Sequence, residues 1–387
     1  MFEVARLLLQ LFDCSNSLFF YICVLFFTYR VLLYPILCKE EKMIIVYLLV
    51  LVIGFYALVK GADMFVDGSS NIARMLHVPG LIIGLTIVAF GTSAPELAVS
   101  TSAALQGANE IAVSNVVGSN LFNLLVVLGI CAVLKPIAVD RDVLRRDYPV
   151  SLGITGLALA ITCGSAFVIN RGPQYMLAQG TSLLSTGEQF FGIDMSQIVG
   201  TVSRIDGLVL VILLVLYIAL LIFSSLRGAA EEEEPQEAVY TARKAVGVLL
   251  IGLALIFIGG QAVVNSARAI ARALGMTETL IGLTIVAFGT SLPELVTSIV
   301  ASRKGEVNMA VGNVIGSNIF NVLLILGISS VLHPITINAA TAIDMALLIC
   351  ISIVVYFFCV TDHKISRLEG ALMLCMYCAD MAFAIIR

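Results

Sequence analysis

The ten residues GLTIVAFGTS occur twice in this chain, from Gly84 to Ser93 and from Gly282 to Ser291, and each copy runs on into Pro-Glu-Leu. A shift of 198 positions superposes the copies and keeps matching beyond them. It places Gly61 on Gly259, Arg74 on Arg272, Glu96 on Glu294, Asn115 on Asn313, Gly118 on Gly316, Asn123 on Asn321, Gly129 on Gly327 and Pro136 on Pro334. An offset that never slips over such a stretch indicates a duplicated structural unit. Whatever fold the chain takes must be built from two similar halves.

Those halves are membrane halves. Of the 387 residues, 60% are hydrophobic and 12% charged, with a mean hydropathy of +1.04. Globular chains carry about a quarter charged residues. A bilayer core needs about 20 apolar residues per helix. Ten apolar segments follow Met43, at 44–60, 80–104, 109–134, 148–168, 205–226, 243–263, 278–302, 307–332, 342–361 and 368–386. Residues 43–168 supply helices 1–4, 169–204 an external loop, 205–226 helix 5, 227–242 an acidic linker and 243–387 helices 6–10. Residues 1–42 stand outside the duplication, either as an added helix or signal anchor, or as a stretch preceding a natural start at Met43.

Five helices per unit is odd, so the second unit enters the membrane from the opposite side. The expected fold is an all-α polytopic membrane protein, a ten-helix core of two inverted five-helix repeats with broken helices at the midplane. Charge bias orients it. With the loop of Lys135, Arg141, Arg145 and Arg146 in the cytoplasm, Arg74, Arg227, Arg243, Lys244, Arg303, Lys304, Lys364 and Arg367 also lie inside. The outside then holds the smaller set Lys39, Lys42, Arg171, Arg204, Arg268, Arg272 and Arg387. Both ends of the core are expected outside and the 227–242 linker inside. The linker's EEEEPQE run lacks the alternating ligands and turn glycine of a calcium loop and reads as solvated.

Within each unit, Glu96 or Glu294 stands deep in an apolar segment, where an ionisable group costs roughly 3 kcal/mol on the insertion scale. Gly and Pro in the surrounding Gly-Thr-Ser-x-Pro-Glu string interrupt the helix. Irregular backbone at membrane depth survives only inside protein or along a cavity. The expectation is that carbonyls at Ala89, Thr92, Ala287 and Thr290 are freed, and that the hydroxyls of Thr92, Ser93, Thr290 and Ser291 join the carboxylates. A second string, SNVVGSNLFN from Ser114 and GNVIGSNIFN from Gly312, is expected to break its helix too. Ser119 with Asn123, and Ser317 with Asn321, share a face at four-residue spacing. Asn115, Asn120, Asn313 and Asn318 are read either as ligands or as braces of the breaks. This all-oxygen set suits Na⁺ or Ca²⁺ and not a softer metal.

Other chemistries find little support. Cys375 and Cys378, a close pair without histidines, read with the other cysteines as packing residues. His77, His333 and His363 match no ligand spacing. A net charge of -4 without a basic patch excludes nucleic acid as a partner. No cofactor or obligatory protein partner is implied, and no phosphate loop or Ser-His constellation points to an enzyme. A channel fits poorly with two inverted repeats and two acidic groups.

At these two strings the sequence resembles the cation/calcium exchanger superfamily, and specifically its prokaryotic sodium/calcium exchangers, from about Met43 to Arg387. The resemblance implies antiport of Na⁺ and Ca²⁺ across a prokaryotic inner membrane by alternating access, in the direction of calcium extrusion. A calcium/proton exchanger of the same fold is the alternative. It further implies that Glu96 and Glu294 bind both ions in turn, with the carbonyls of Thr92 and Thr290 completing the calcium site. Ala89, Ser93, Ser119, Ala287, Ser291 and Ser317 would frame flanking sodium sites, with Asn123 and Asn321 nearest the centre. Asn321, where potassium-dependent relatives have Asp, argues against K⁺ co-transport. Ser114 departs from the usual Gly.

Overall fold

The computed structural model describes residues 40–169, 189–190, 193–194, 198–228, 239–276 and 287–386. Residues 1–39, most of the expected external loop, most of the acidic linker and the start of the second decapeptide copy lie outside the described residues.

The protein is mostly helical. Helix α1 spans Glu40–Leu76, α2 Gly80–Thr92, α3 Ala94–Leu105, α4 Asn109–Leu134, α5 Tyr148–Ile169 and α6 Arg204–Gly228. The second half supplies α7 at Ala242–Ala273, α8 at Ala287–Thr290, α9 at Leu292–Arg303, α10 at Val307–Leu332, α11 at Ala339–Thr361 and α12 at Arg367–Ile386. Among the described residues six helices are long and apolar enough to cross a membrane, or seven with the bent pair α2 and α3 taken as one span. The segments expected at 148–168 and 368–386 appear as α5 and α12, and the described part of 278–302, from Ala287, as α8 with α9.

Two helices outrun their expected spans. α1 continues sixteen residues past the expected end at residue 60, and α7 ten past residue 263. In α1 the continuation is amphipathic: Ala62, Phe65, Val66 and Ser69 are buried, while Lys60 and Asp63 pair on the open side at 3.9 Å. At 1.5 Å per residue a helix of 37 residues is about 55 Å long, well beyond the hydrocarbon core, so its charged end reaches the membrane surface. Nearer its start, exposed Ile45, Leu48, Leu49, Val52, Phe55 and Val59 recur at helical spacing as a lipid-facing stripe.

α1 and α7 cross antiparallel along glycines. A Cβ on Gly61 would lie 2.7 Å from the Ile256 amide nitrogen, and one on Gly259 would lie 2.6 Å from that of Leu58. Gly54, Gly61 and Gly68 on α1 and Gly252 and Gly259 on α7 repeat every seven residues, which lets the two backbones touch. Gly84, Gly312 and Gly316 perform the same service where α10 crosses α2.

Short strands clasp the ends of the bundle. β1 (Ile137–Ala138) pairs antiparallel with β6 (Lys364–Ile365); β2 (Gln189–Phe190) pairs with β3 (Ile193–Asp194); β4 (Ile198–Val202) pairs with β5 (Ile335–Asn338). Contacts sort the turns into two faces. On the first, Arg74 meets Glu306, and the N–H groups of Val239 and Tyr240 donate to Asn71 Oδ1. On the opposite face, β4 meets β5 and Asn109 donates to Thr336. The start of α5 is pinned on the first face, where fully buried Asp147 takes hydrogen bonds from Arg146 (2.8 Å) and Tyr217 (3.1 Å). Burial raises the Asp147 pKa, and the Arg146 partner opposes that rise.

The cysteines whose surroundings are described divide. Cys131 and Cys359 are buried, as expected, but Cys350, Cys375 and Cys378 are exposed on the bundle exterior, where a weakly polar thiol suits contact with lipid.

Candidate cation-binding site

Each carboxylate follows a proline that opens a new helix. Ser93 takes φ -83°, ψ 5° and Ser291 takes φ -93°, ψ 7°, so both copies turn at the same residue. Pro95 and Pro293 sit in the first turn beyond. Proline has no N–H, so the carbonyls of Gly91 and Gly289, four residues back, lose their helical donors. In the first copy the break bends α2 against α3 by 48°.

The expected freeing of the Ala89 carbonyl is corrected. It accepts the Ser93 N–H at 3.0 Å, with the Thr92 hydroxyl at 3.4 Å, because helical geometry persists until the turn at Ser93. Ala287 opens α8.

The expected second break is corrected as well. α4 and α10 run unbroken through Gly118-Ser119-Asn120 and Gly316-Ser317-Asn318. The irregularity comes later, as π-helical turns over Asn123–Val127 and Asn321–Leu326. Asn120 and Asn318 hold the helices instead of interrupting them. Each donates its amide to the other's backbone carbonyl, at 3.3 and 3.4 Å. Their side-chain oxygens then accept from Asn321 (2.9 Å) and Asn123 (3.2 Å) respectively.

The two repeats interlock around the carboxylates. Ser93 Oγ donates to Glu294 Oε1 at 3.1 Å, and Ser291 Oγ donates to Glu96 Oε1 at 3.0 Å with Ser119 Oγ 3.2 Å away. Asn115 and Asn313 act as braces: Asn115 Nδ2 donates to the Glu96 carbonyl and to Ser100 Oγ, and Asn313 Nδ2 to the Glu294 carbonyl and Ser298 Oγ. Thr92 Oγ1 lies 3.1 Å from Asn313 Oδ1, a bond between the repeats.

The candidate ligands are sealed from solvent. Glu96, Thr92, Asn123, Asn321, Ser291, Ser317 and Ala89 have no exposed surface, and Glu294 is 1% exposed, Ser93 3%, Ser119 4% and Thr290 8%. Yet Glu96 Oε2, Glu294 Oε2, Asn123 Oδ1, Asn321 Oδ1, Thr290 Oγ1 and Ser317 Oγ are buried without a hydrogen-bond partner. Buried acceptors without donors cost about 1–3 kcal/mol each, more when charged, and natural proteins keep few. The amide donations of Asn123 and Asn321 fix their rings of contact so that both side-chain oxygens remain for something else. A desolvated cation is what a cluster of carboxylate, amide and hydroxyl oxygens can satisfy at once.

Three contributors were not singled out from the sequence. Ser100 and Ser298 stand 198 apart, so the repeat alignment itself contained that signal. Thr297, buried with an unpartnered hydroxyl one turn beyond Glu294, corresponds to Val99 in the other repeat, so no symmetry argument reaches it. Among the described residues no three His, Cys, Asp or Glu side chains gather as a metal cluster, which leaves neutral oxygens as the complement of the carboxylates. A cavity of about 300 Å³ between the ends of α4 and α9, lined by Cys131, Lys135, Ile299 and Arg303, contains none of the candidate ligands.

The family described as sodium/calcium exchanger protein matches residues 46–223 and 244–386. The chain is 37% identical over 334 residues to the CaxA protein of Alkalimonas amylolytica, covering 83% of this chain and 93% of that one. It is 34% identical over 358 residues to the sodium/calcium exchanger MaX1 of Methanosarcina acetivorans, covering 87% and 98%. Solved structures of the sodium-calcium exchanger NCX_Mj superpose with a TM-score of 0.69 at 31% identity, over 88% of this chain and 99% of that one.

Proposed function

This chain belongs to the sodium/calcium exchanger family, and on that premise we propose that it exchanges Na⁺ for Ca²⁺ across a membrane by alternating access. It is an integral membrane transporter and not an enzyme.

The observation that carries the reading is the set of buried, unpartnered oxygens on Glu96, Glu294, Asn123, Asn321, Thr290 and Ser317. In this reading Ca²⁺ lies between the two carboxylates, completed by the carbonyls of Thr92 and Thr290. Na⁺ ions occupy flanking positions framed by Ser93 and Ser119 from one repeat and by Ser291 and Ser317 from the other, with the carbonyls of Ala89 and Ala287 joining only when local hydrogen bonds such as that from the Thr92 hydroxyl to Ala89 give way. Asn123 and Asn321 lie closest to the centre. Two carboxylates bare of cations in a low-dielectric interior are costly, so one Ca²⁺ or several Na⁺ must be present for the protein to reorient. Ser93 and Ser291 couple the halves, because each holds the other repeat's carboxylate.

The two repeats are inverted in this reading, and the sorting of turns into two faces supports it. The first face, with the 227–242 linker, is cytoplasmic; the ends of the ten-helix core are external; the membrane is a prokaryotic inner membrane, with calcium moved outward as Na⁺ enters. No protein partner is required.

The test is radioactive calcium uptake into sodium-loaded vesicles of purified protein, diluted into sodium-free or sodium-matched buffer with a proton ionophore present. Uptake only with the outward sodium gradient supports the reading. Uptake indifferent to sodium and driven by an imposed pH gradient replaces it with calcium/proton exchange.

A further inference from the structure

The two repeats are alike at the carboxylates and unlike at the ends of α1 and α7. On the first face, Lys304, in the turn after α9, reaches back to α1. Its Nζ lies 2.6 Å from Asp63 Oδ1 and 2.6 Å from Asp67 Oδ1, and donates to the Asp63 carbonyl at 3.0 Å. Two residues on, Glu306 pairs with Arg74 near the end of α1 at 3.3 Å. Together these tie the first-face end of α1 to the turn that follows the Glu294 helix.

The duplication supplies an internal control. Moving each position by 198 puts Gln106 where Lys304 stands, Gln261 and Asn265 for Asp63 and Asp67, and Ala108 for Glu306; only Arg74 keeps its charge, as Arg272. At the opposite face Gln106 donates to Ser102 of its own helix at 2.9 Å, and Gln261 and Asn265 are exposed. α1 packs along α9, whereas α7 makes no comparable contact with α3. At these shifted positions the same scaffold carries ions at the first face and, Arg272 apart, amides or alanine at the other, so the helix crossing does not depend on the Lys304 pairs.

We infer that Lys304 is a positioning residue for exchange, a latch that holds α1 against the α9–α10 turn and so favours the state closed at the first face. This rests on the alternating-access reading above. The pairs are partly exposed, with Lys304 28%, Asp63 38% and Asp67 40% accessible. Exposed pairs are individually weak, so the latch biases the equilibrium without locking it. A bias of that size suits a transporter that must visit both states. Burial pulls the Lys304 pKa down, but Asp63 and Asp67 together outweigh it and hold it above its ordinary range, so the latch stays charged at neutral pH.

The test compares K304Q, D67N and the conservative K304R with the parent protein. Hydrogen–deuterium exchange is followed at the 303–308 turn and residues 63–76, with the 105–110 turn as the internal reference. This readout needs no transported ion. K304Q and D67N are expected to speed exchange at the first face about two- to fivefold, with K304R close to the parent. Equal protection in all four proteins overturns the latch whichever ions are exchanged. In membrane vesicles of both orientations, K304Q is then expected to lower the half-saturating calcium at the first face and raise it at the other. Half-saturating values that move together on both faces overturn the proposal and leave Lys304 as a structural tie. Calcium uptake without sodium dependence in the parent would revise the coupling ion and not the latch.

Discussion

Ser93 of the first repeat donates its hydroxyl to Glu294 of the second at 3.1 Å, and the duplication repeats the relationship in reverse between Ser291 and Glu96 at 3.0 Å. Each carboxylate takes its serine hydrogen bond from the other half of the chain. The site exists only where the halves meet.

Removing either hydroxyl should therefore weaken binding without unfolding the chain. Hydrogen bonds to charged groups contribute about 1.5–3 kcal/mol, so S93A and S291A are each expected to raise the half-saturating calcium for uptake by roughly tenfold to a hundredfold. S291A should be the more severe, since Ser291 also contacts Ser119. Parent-like calcium dependence in both variants would remove these serines from the site.

The carboxylates should be indispensable to transport and dispensable to folding. E96Q and E294Q preserve shape and lose charge, and each is expected to abolish calcium uptake while the protein still inserts and elutes as a single species. Near-normal uptake by either would contradict the assignment.

The braces should show themselves in stability, and unequally. Asn313 is fully buried and touches Thr92 of the other repeat as well as Glu294 and Ser298; Asn115 is only half-buried and bonds within its own repeat. N313A is expected to cost about 2–3 kcal/mol and N115A about 1 kcal/mol, read as the order of melting temperatures in detergent. The reverse order would show that the inter-repeat contact contributes little.

The glycine crossing makes a steric prediction. A side chain at Gly259 meets the Leu58 backbone at 2.6 Å, whereas one at Gly153 on α5 meets nothing within 4 Å. G259V should therefore force α1 from α7 and cost at least about 1–3 kcal/mol, with G153A as the silent control. Size-exclusion profiles and melting of the two variants separate the cases, and a G259V protein that melts with the parent would refute the close crossing.

Much of this could be read from the chain because the duplication marks its own important positions. Glu96 and Glu294, the turns at Ser93 and Ser291, and the pairing of small polar residues all follow from one constant offset. What escaped reading depends on partners far away in sequence. Gly118-Ser119-Asn120 has the composition of a helix break, but the Asn120–Asn318 exchange of amides satisfies it across the interface and the helix continues. The length of α1 escaped because its charged residues look like an end, whereas in the structure they continue the helix and meet Lys304, some 240 positions later. Thr297 escaped because it breaks the symmetry that exposed the rest.

The glycine seam between α1 and α7 has a consequence for leakage. The helices belong to opposite halves, run antiparallel and touch backbone to backbone over Gly54, Gly61, Gly252 and Gly259. Bound that closely, they behave as a single beam: lifting the beam off the α9–α10 turn at one surface lowers it toward α3 at the other. In the exchange cycle proposed above, opening one mouth and shutting the other then become one displacement, so the seam itself disfavours a doubly open state, whatever ion occupies the site.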